Sequence, residues 1–104
     1  MGVVQADNWK QGFASQILLR GRAYFEYKQV EDVEYENDSV TALVTGGFRY
    51  RVSVVHTGKG ELSLKCTCPY ADSGINCKHE AAVLFSIESS RQDLLLQWAN
   101  EGEK

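Results

Sequence analysis

Between residues 8 and 28 the apolar positions Phe13, Ile17, Leu18, Gly21, Tyr24 and Phe25 fall near i, i+3, i+4 and i+7, the period of an amphipathic helix. Lys10, Gln16 and Arg20 take its outer face. Asn8 followed by Gln11 offers an N-cap and its capping-box partner, with Ser15 as a later start because Gly12 weakens the first turn. The aromatic end, Tyr24-Phe25-Glu26-Tyr27, is expected to pack on a sheet rather than stack nucleobases. From residue 30 the period shortens to two. Strands are predicted over 30–36, 39–45 and 48–56, joined by Asn37-Asp38 and Gly46-Gly47, links that favour antiparallel hairpins. In the third, Phe48, Tyr50, Val52, Val54 and His56 share the parity of a core face, while Arg49, Arg51 and Ser53 face solvent. The link 57–60 leads to a fourth strand with Leu62, Leu64 and Cys66 in phase.

A polar, turn-rich stretch follows Pro69, and beyond it Ala81, Ala82, Val83, Leu84, Phe85 and Ile87 predict a helix that is apolar nearly all round and therefore buried. Ser89 with Gln92, or Ser90 with Asp93, offers a cap for a last helix carrying Leu94, Leu95, Leu96 and Trp98.

A chain of 104 residues is expected to form one domain with a modest core. Its composition, 43% hydrophobic and 24% charged, is that of an ordinary globular protein, and no apolar run approaches the roughly 20 residues of a membrane span. The N-terminus lacks the basic start and apolar stretch of a secretory signal, so a cytoplasmic, reducing setting is expected. Fourteen acidic against eleven basic residues give a net charge of −3, which removes any global pull on phosphate.

The chemistry sits in one place. Cys66-Thr67-Cys68, then eight residues, then Cys77-Lys78-His79 hold all three cysteines and one of the two histidines. An odd number of thiols in a reducing setting cannot pair off internally, a Cys66–Cys68 disulfide is opposed by strand geometry, and no C-x-x-C is present for redox work. Four soft donors around one loop instead suit tetrahedral zinc, with Zn–S near ~2.3 Å and Zn–N near ~2.0 Å. Alternate strand residues lie roughly 6.6 Å apart, so the strand must curl inward after Cys66, and Pro69, which cannot donate to a ladder, releases the chain there. Asn76 is placed to cap the helix that returns Cys77 and His79, and Lys65 and Lys78 to offset the negative site. One structural Zn²⁺ held by Cys66, Cys68, Cys77 and His79 is expected. All four places being filled by protein, no catalysis and no small-molecule substrate are expected. His56 reads as a packed or strand-end histidine.

The spacing C-x-C, eight residues, C-x-H resembles the signature of the SWIM zinc-finger family. The words Leu64-Lys65-Cys66-Thr67-Cys68-Pro69-Tyr70 and Cys77-Lys78-His79-Glu80-Ala81-Ala82-Val83-Leu84 resemble its finger, and Arg20-Gly21-Arg22-Ala23-Tyr24-Phe25 the stretch before it in bacterial members. The resemblance implies a zinc module beside larger catalytic parts, Swi/Snf-type helicase ATPases among them, with DNA-binding or protein-binding roles. This chain has no G-x-x-x-x-G-K-[ST] phosphate loop, so a helicase activity would lie elsewhere. The expectation is an α+β fold: an N-terminal helix over about 8–28, a four-stranded antiparallel β-meander, a zinc loop and one or two C-terminal helices, in a single domain over 1–104 with the finger proper at about 60–88.

For function, residues 40–79 carry Arg49, Arg51, Lys59, Lys65 and Lys78 against Glu61 and Asp72. Arg49, Arg51, Lys65 and Lys78 are thus candidate phosphate contacts for DNA, with the module an accessory to a helicase-type protein. The same residues also read as a solvated face paired with Glu31, Asp32, Glu34 and Glu36. The alternative function is contact with another protein, or with the rest of a larger parent chain, through the acidic strand and the segment from Leu94 to Trp98.

Overall fold

The computed structural model describes residues 2–69 and 76–101. Strand β1 (Gly2–Gln5) is followed by a 3₁₀ turn (Trp9–Gly12), helix α1 (Ser15–Glu26), and strands β2 (Val30–Tyr35), β3 (Ser39–Gly46), β4 (Phe48–Gly58) and β5 (Glu61–Cys66). Helices α2 (Lys78–Ser90) and α3 (Gln92–Glu101) complete it. The fold is α+β, as expected, but its antiparallel sheet has five strands in the order β1-β5-β4-β3-β2. The meander from β2 to β5 follows the sequence; β1 is the addition. Its four residues carry too short an alternation to read, and its ladder, Gly2↔Leu64 to Gln5↔Glu61, is made to partners remote in sequence.

The helix expected over 8–28 divides at Phe13. Trp9 and Phe13 are buried and meet edge to face, Trp9 also meets Phe85, and the chain therefore bends before α1 begins at the later start, Ser15. Asn8 makes no side-chain cap; its Nδ2 donates to Gln11 Oε1 instead. The hairpins are tighter than the sequence suggests. Gly46 stays in β3 and pairs with Phe48 around Gly47, whose φ is 87°. Strand β4 runs on to Gly58, so the β4–β5 link shrinks to Lys59-Gly60, both at positive φ as a primed turn requires. Ser89 and Ser90 close α2 rather than cap α3, and Arg91 stands between the two helices.

One face of the sheet contributes Val40, Ala42, Val44, Val52, Val54, Leu62 and Leu64 to the core. Helix α2 lies against it with Ala81, Ala82, Val83, Leu84 and Ile87 buried, and α1 packs on the other side of α2, which explains why α2 is apolar nearly all round. Close approach of α1 and α2 depends on Gly21: a Cβ there would stand 2.6 Å from Ala81 Cβ and 2.9 Å from the Lys78 carbonyl. The aromatic end of α1 divides. Tyr24 lies over Gly46 of β3, Phe25 stacks on Phe85, and Tyr27 remains exposed.

Leu94, Leu95 and Trp98 of α3 are buried in the core, so the expected contact surface at this helix reduces to Leu96 and Gln97. Trp98 stacks on His56 at 5.6 Å and its Nε1 donates to the Asn37 carbonyl. His56 is the packed strand-end histidine expected. Its Nε2 accepts the Gly60 N–H at 3.3 Å, so the neutral ring carries its proton on Nδ1 and directs it at Asp38 Oδ1 (3.4 Å) and Glu101 Oε2 (3.2 Å). The ring thereby ties the β2–β3 link to the end of α3. Among the described residues, no helix is long and apolar enough to cross a membrane.

Replacing Gly21 by Ala gains about 1 kcal/mol of helix propensity but overpacks a contact with no room to give, at a cost of roughly 1–3 kcal/mol. We expect Gly21→Ala to lower the denaturation midpoint of the zinc-loaded protein, measured by circular dichroism; an unchanged or raised midpoint would contradict the packing described.

Candidate metal centre

The ligand cluster is built by the end of one strand and the start of one helix. Cys66 closes β5 opposite Val52. The ladder then runs one residue further, the Thr67 N–H donating to the Arg51 carbonyl at 3.2 Å and Thr67 Oγ1 accepting the Arg51 N–H at 3.1 Å. That pair of bonds holds the strand end while the chain turns, and it brings Cys68 to the buried side with Cys66. The loop expected after Pro69 lies outside the described residues except for Asn76. Asn76 is not the helix cap; its Nδ2 donates to the Gly12 carbonyl at 2.7 Å, fastening the loop end to the 3₁₀ turn.

The cap is Cys77 itself. Its Sγ accepts the backbone N–H of Glu80, and the Glu80 carboxylate returns the bond by accepting the Cys77 N–H at 2.9 Å. A capping box therefore fixes the third ligand at the positive end of α2, where free N–H groups favour sulfur carrying negative charge. Glu80 is buried, and burial raises its pKa while the Cys77 N–H opposes the rise. The spacing Cys77-x-x-Glu80 was readable as a box; a cysteine in place of serine or threonine conceals it.

His79 stands on the first turn of the same helix with its ring set between Tyr50 (4.6 Å between centroids) and Tyr24 (5.3 Å). The two tyrosines fix the imidazole so that Nδ1 faces Cys66 Sγ at 3.8 Å and Cys77 Sγ at 3.9 Å. All four donor atoms, from Cys66, Cys68, Cys77 and His79, lie within 4.8 Å of one another. The two S–N separations approach the ~3.6 Å edge of a tetrahedron with zinc bond lengths. The donor set, its burial and its spacing fit one zinc ion, with His79 offering Nδ1. Bound there, the ion would join β5 to α2.

The cationic residues divide between two faces. Arg49, Arg51 and Lys65 are exposed on the outer face of β4 and β5, with Lys65 opposite Ser53. Lys65 therefore points away from the ligand side and does not offset the site charge as expected. Lys78 stands at the start of α2, half-buried, its ammonium 5.6 Å from the Tyr24 ring. Tyr24, Tyr50 and Glu80, which order the ligands, are the site residues that sequence reasoning passed over.

Residues 50–88 match the family model described as SWIM zinc finger, a span that begins at Tyr50 and contains all four ligands. No curated protein and no solved structure matches the chain.

Elemental analysis is expected to give one zinc per chain, with chelation or Cys77→Ser abolishing the cooperative unfolding transition; a metal-free protein of unchanged melting would refute the clamp. Acid should release the metal. Without it, the neighbouring Cys66 sulfur and burial hold the Cys77 thiol well above its ordinary value, so the packed site by itself favours the protonated thiol. Metal binding runs the other way because each thiol must give up its proton. Apparent zinc affinity should climb through the neutral range by up to about tenfold per pH unit per thiol, read by competition with a chromophoric chelator.

Proposed function

On the premise of a SWIM zinc finger at residues 50–88, we propose that this protein is a zinc-ordered interaction module that binds nucleic acid through the outer face of its sheet. The observation that carries this reading is the placement of Arg49, Arg51 and Lys65, exposed together on β4 and β5. Among the described residues none of the three forms an ion pair. Asp32 and Glu34 of β2 border the same open concavity as Arg51, but they stand beyond β3, with the backbones of β2 and β4 about 10 Å apart at a strand spacing of about 4.8 Å, and make no ion pair with it. Glu31 is engaged by the Thr45 hydroxyl at 3.1 Å instead. Among the described residues no ion pair competes with a partner for the three cations.

Three cations on a chain of net charge −3 make a short, local phosphate contact, so affinity comes from this patch and not from a general field. The zinc fixes the patch by ordering the end of β5, and four protein ligands leave it no position for substrate; the proposed module is not an enzyme. The SWIM resemblance further supports an accessory place beside a helicase-type protein, which would supply the catalytic parts, in the cytoplasm.

A salt titration of duplex DNA binding tests the reading. With three phosphate contacts log K should fall against log salt with a slope of about −3, and Arg49→Ala with Arg51→Ala should weaken binding and reduce that slope by about 2. No binding to any nucleic-acid probe at low salt would reject it and leave contact with another protein as the function.

A further inference from the structure

The alternation that sends Arg49 and Arg51 to the outer face sends Phe48 and Tyr50 to the opposite one, and there the core ends before the strand does. Val52 and Val54 are buried and Tyr50 is half-covered, whereas Phe48, on the same side, is 74% exposed and not in the core its parity predicts. Its hairpin neighbour Gly47 offers nothing to cover it. A lone exposed ring needs no explanation; this one continues a surface. Phe48 and Tyr50 have centroids 6.3 Å apart, and Tyr50 lies against His79. Tyr50 also forms a wall of an open cleft of about 180 Å³ whose floor is made by the ligands Cys68, Cys77 and His79 themselves, with Arg20, Pro69 and Lys78 around it. Among the described residues no carboxylate lines that cleft, and neither Arg20 nor Lys78 forms an ion pair.

An exposed ring, a second ring against the ligand histidine, and two cations without an ion pair among the described residues are the elements with which proteins hold unpaired nucleotides: bases stack on the rings and phosphates meet the cations. A duplex keeps its bases stacked on each other and offers a ring at a hairpin tip nothing without being kinked. We infer that the metal-side surface formed by Phe48, Tyr50, Arg20 and Lys78 is a binding site for single-stranded nucleic acid, distinct from the phosphate patch on the outer face. The inference rests on the nucleic-acid reading above, to which it adds the form of the polymer. Zinc contributes by fixing His79, and through it Tyr50.

Fluorescence anisotropy of the zinc-loaded full chain with labelled oligothymidylate, oligouridylate and a mixed-sequence duplex tests it. Binding of either single strand, weakened about tenfold by Phe48→Ala and retained in Phe48→Trp, with duplex affinity unchanged by both, is the expected result; the two oligomers report whether the sugar is read. Arg20→Ala should lower single-strand affinity and its salt slope by about 0.7. Phe48 and Arg20 are exposed, so neither change threatens the fold, and the zinc content of each variant verifies this. Single-strand affinity that is indifferent to Phe48→Ala, or that falls together with duplex affinity, overturns the inference. Binding of duplex alone overturns it while leaving the outer-face reading intact, whereas failure of all three probes removes both.

Discussion

Two sulfurs from the end of a strand and a sulfur and a nitrogen from the start of a helix have to meet within a few ångström, and most of the chain is arranged so that they do. The strand end is held by the exchange of hydrogen bonds between Thr67 and Arg51, the helix start by the box between Cys77 and Glu80, and the histidine by two tyrosine rings. The first two devices use groups whose polar atoms would otherwise be orphaned at an element's end. The metal site and the element termini are therefore one problem with one solution.

The same requirement governs the packing. For α2 to present Cys77 and His79 to the end of β5 it must lie directly on the sheet, and it is covered on its other side by α1. A helix covered on two sides must be apolar on both, which is why its side chains from Ala81 to Leu84 are all buried. It must also be approached closely, which is why Gly21 meets Ala81. Glu80 remains inside this apolar setting because it caps the helix, and an unpaired buried carboxylate would cost far more.

Once the core and the metal have claimed one face of β4, the alternation of the strand leaves two different surfaces. Arginines and a lysine gather on the outer face, and two aromatic rings project on the inner side beyond the reach of the helices. A single strand, Phe48-Arg49-Tyr50-Arg51, thus supplies both a charged patch and a stacking surface, held in register with β5 by their backbone ladder.

The ligand set, the meander and the buried character of α2 were legible in the sequence because each depends on local spacing: period two, period near 3.6, and two short Cys/His pairs around a loop. Strand β1 was not, since its partners stand about sixty residues away and four residues give no period. The start of α1 at Ser15 was one of two that the sequence offered, and burial of Trp9 and Phe13, a matter of packing, selects it. Exposure followed the same division. Parity assigned Phe48 correctly to the inner side of the sheet, but only the packed structure shows where the helices stop and leave that side bare, and only register places Lys65 away from the metal while Tyr24 and Tyr50 enclose His79. Sequence determined which residues bind the metal, because donor chemistry and spacing are properties of the chain; tertiary structure decided what surrounds them and what faces outward, because burial depends on neighbours brought from elsewhere.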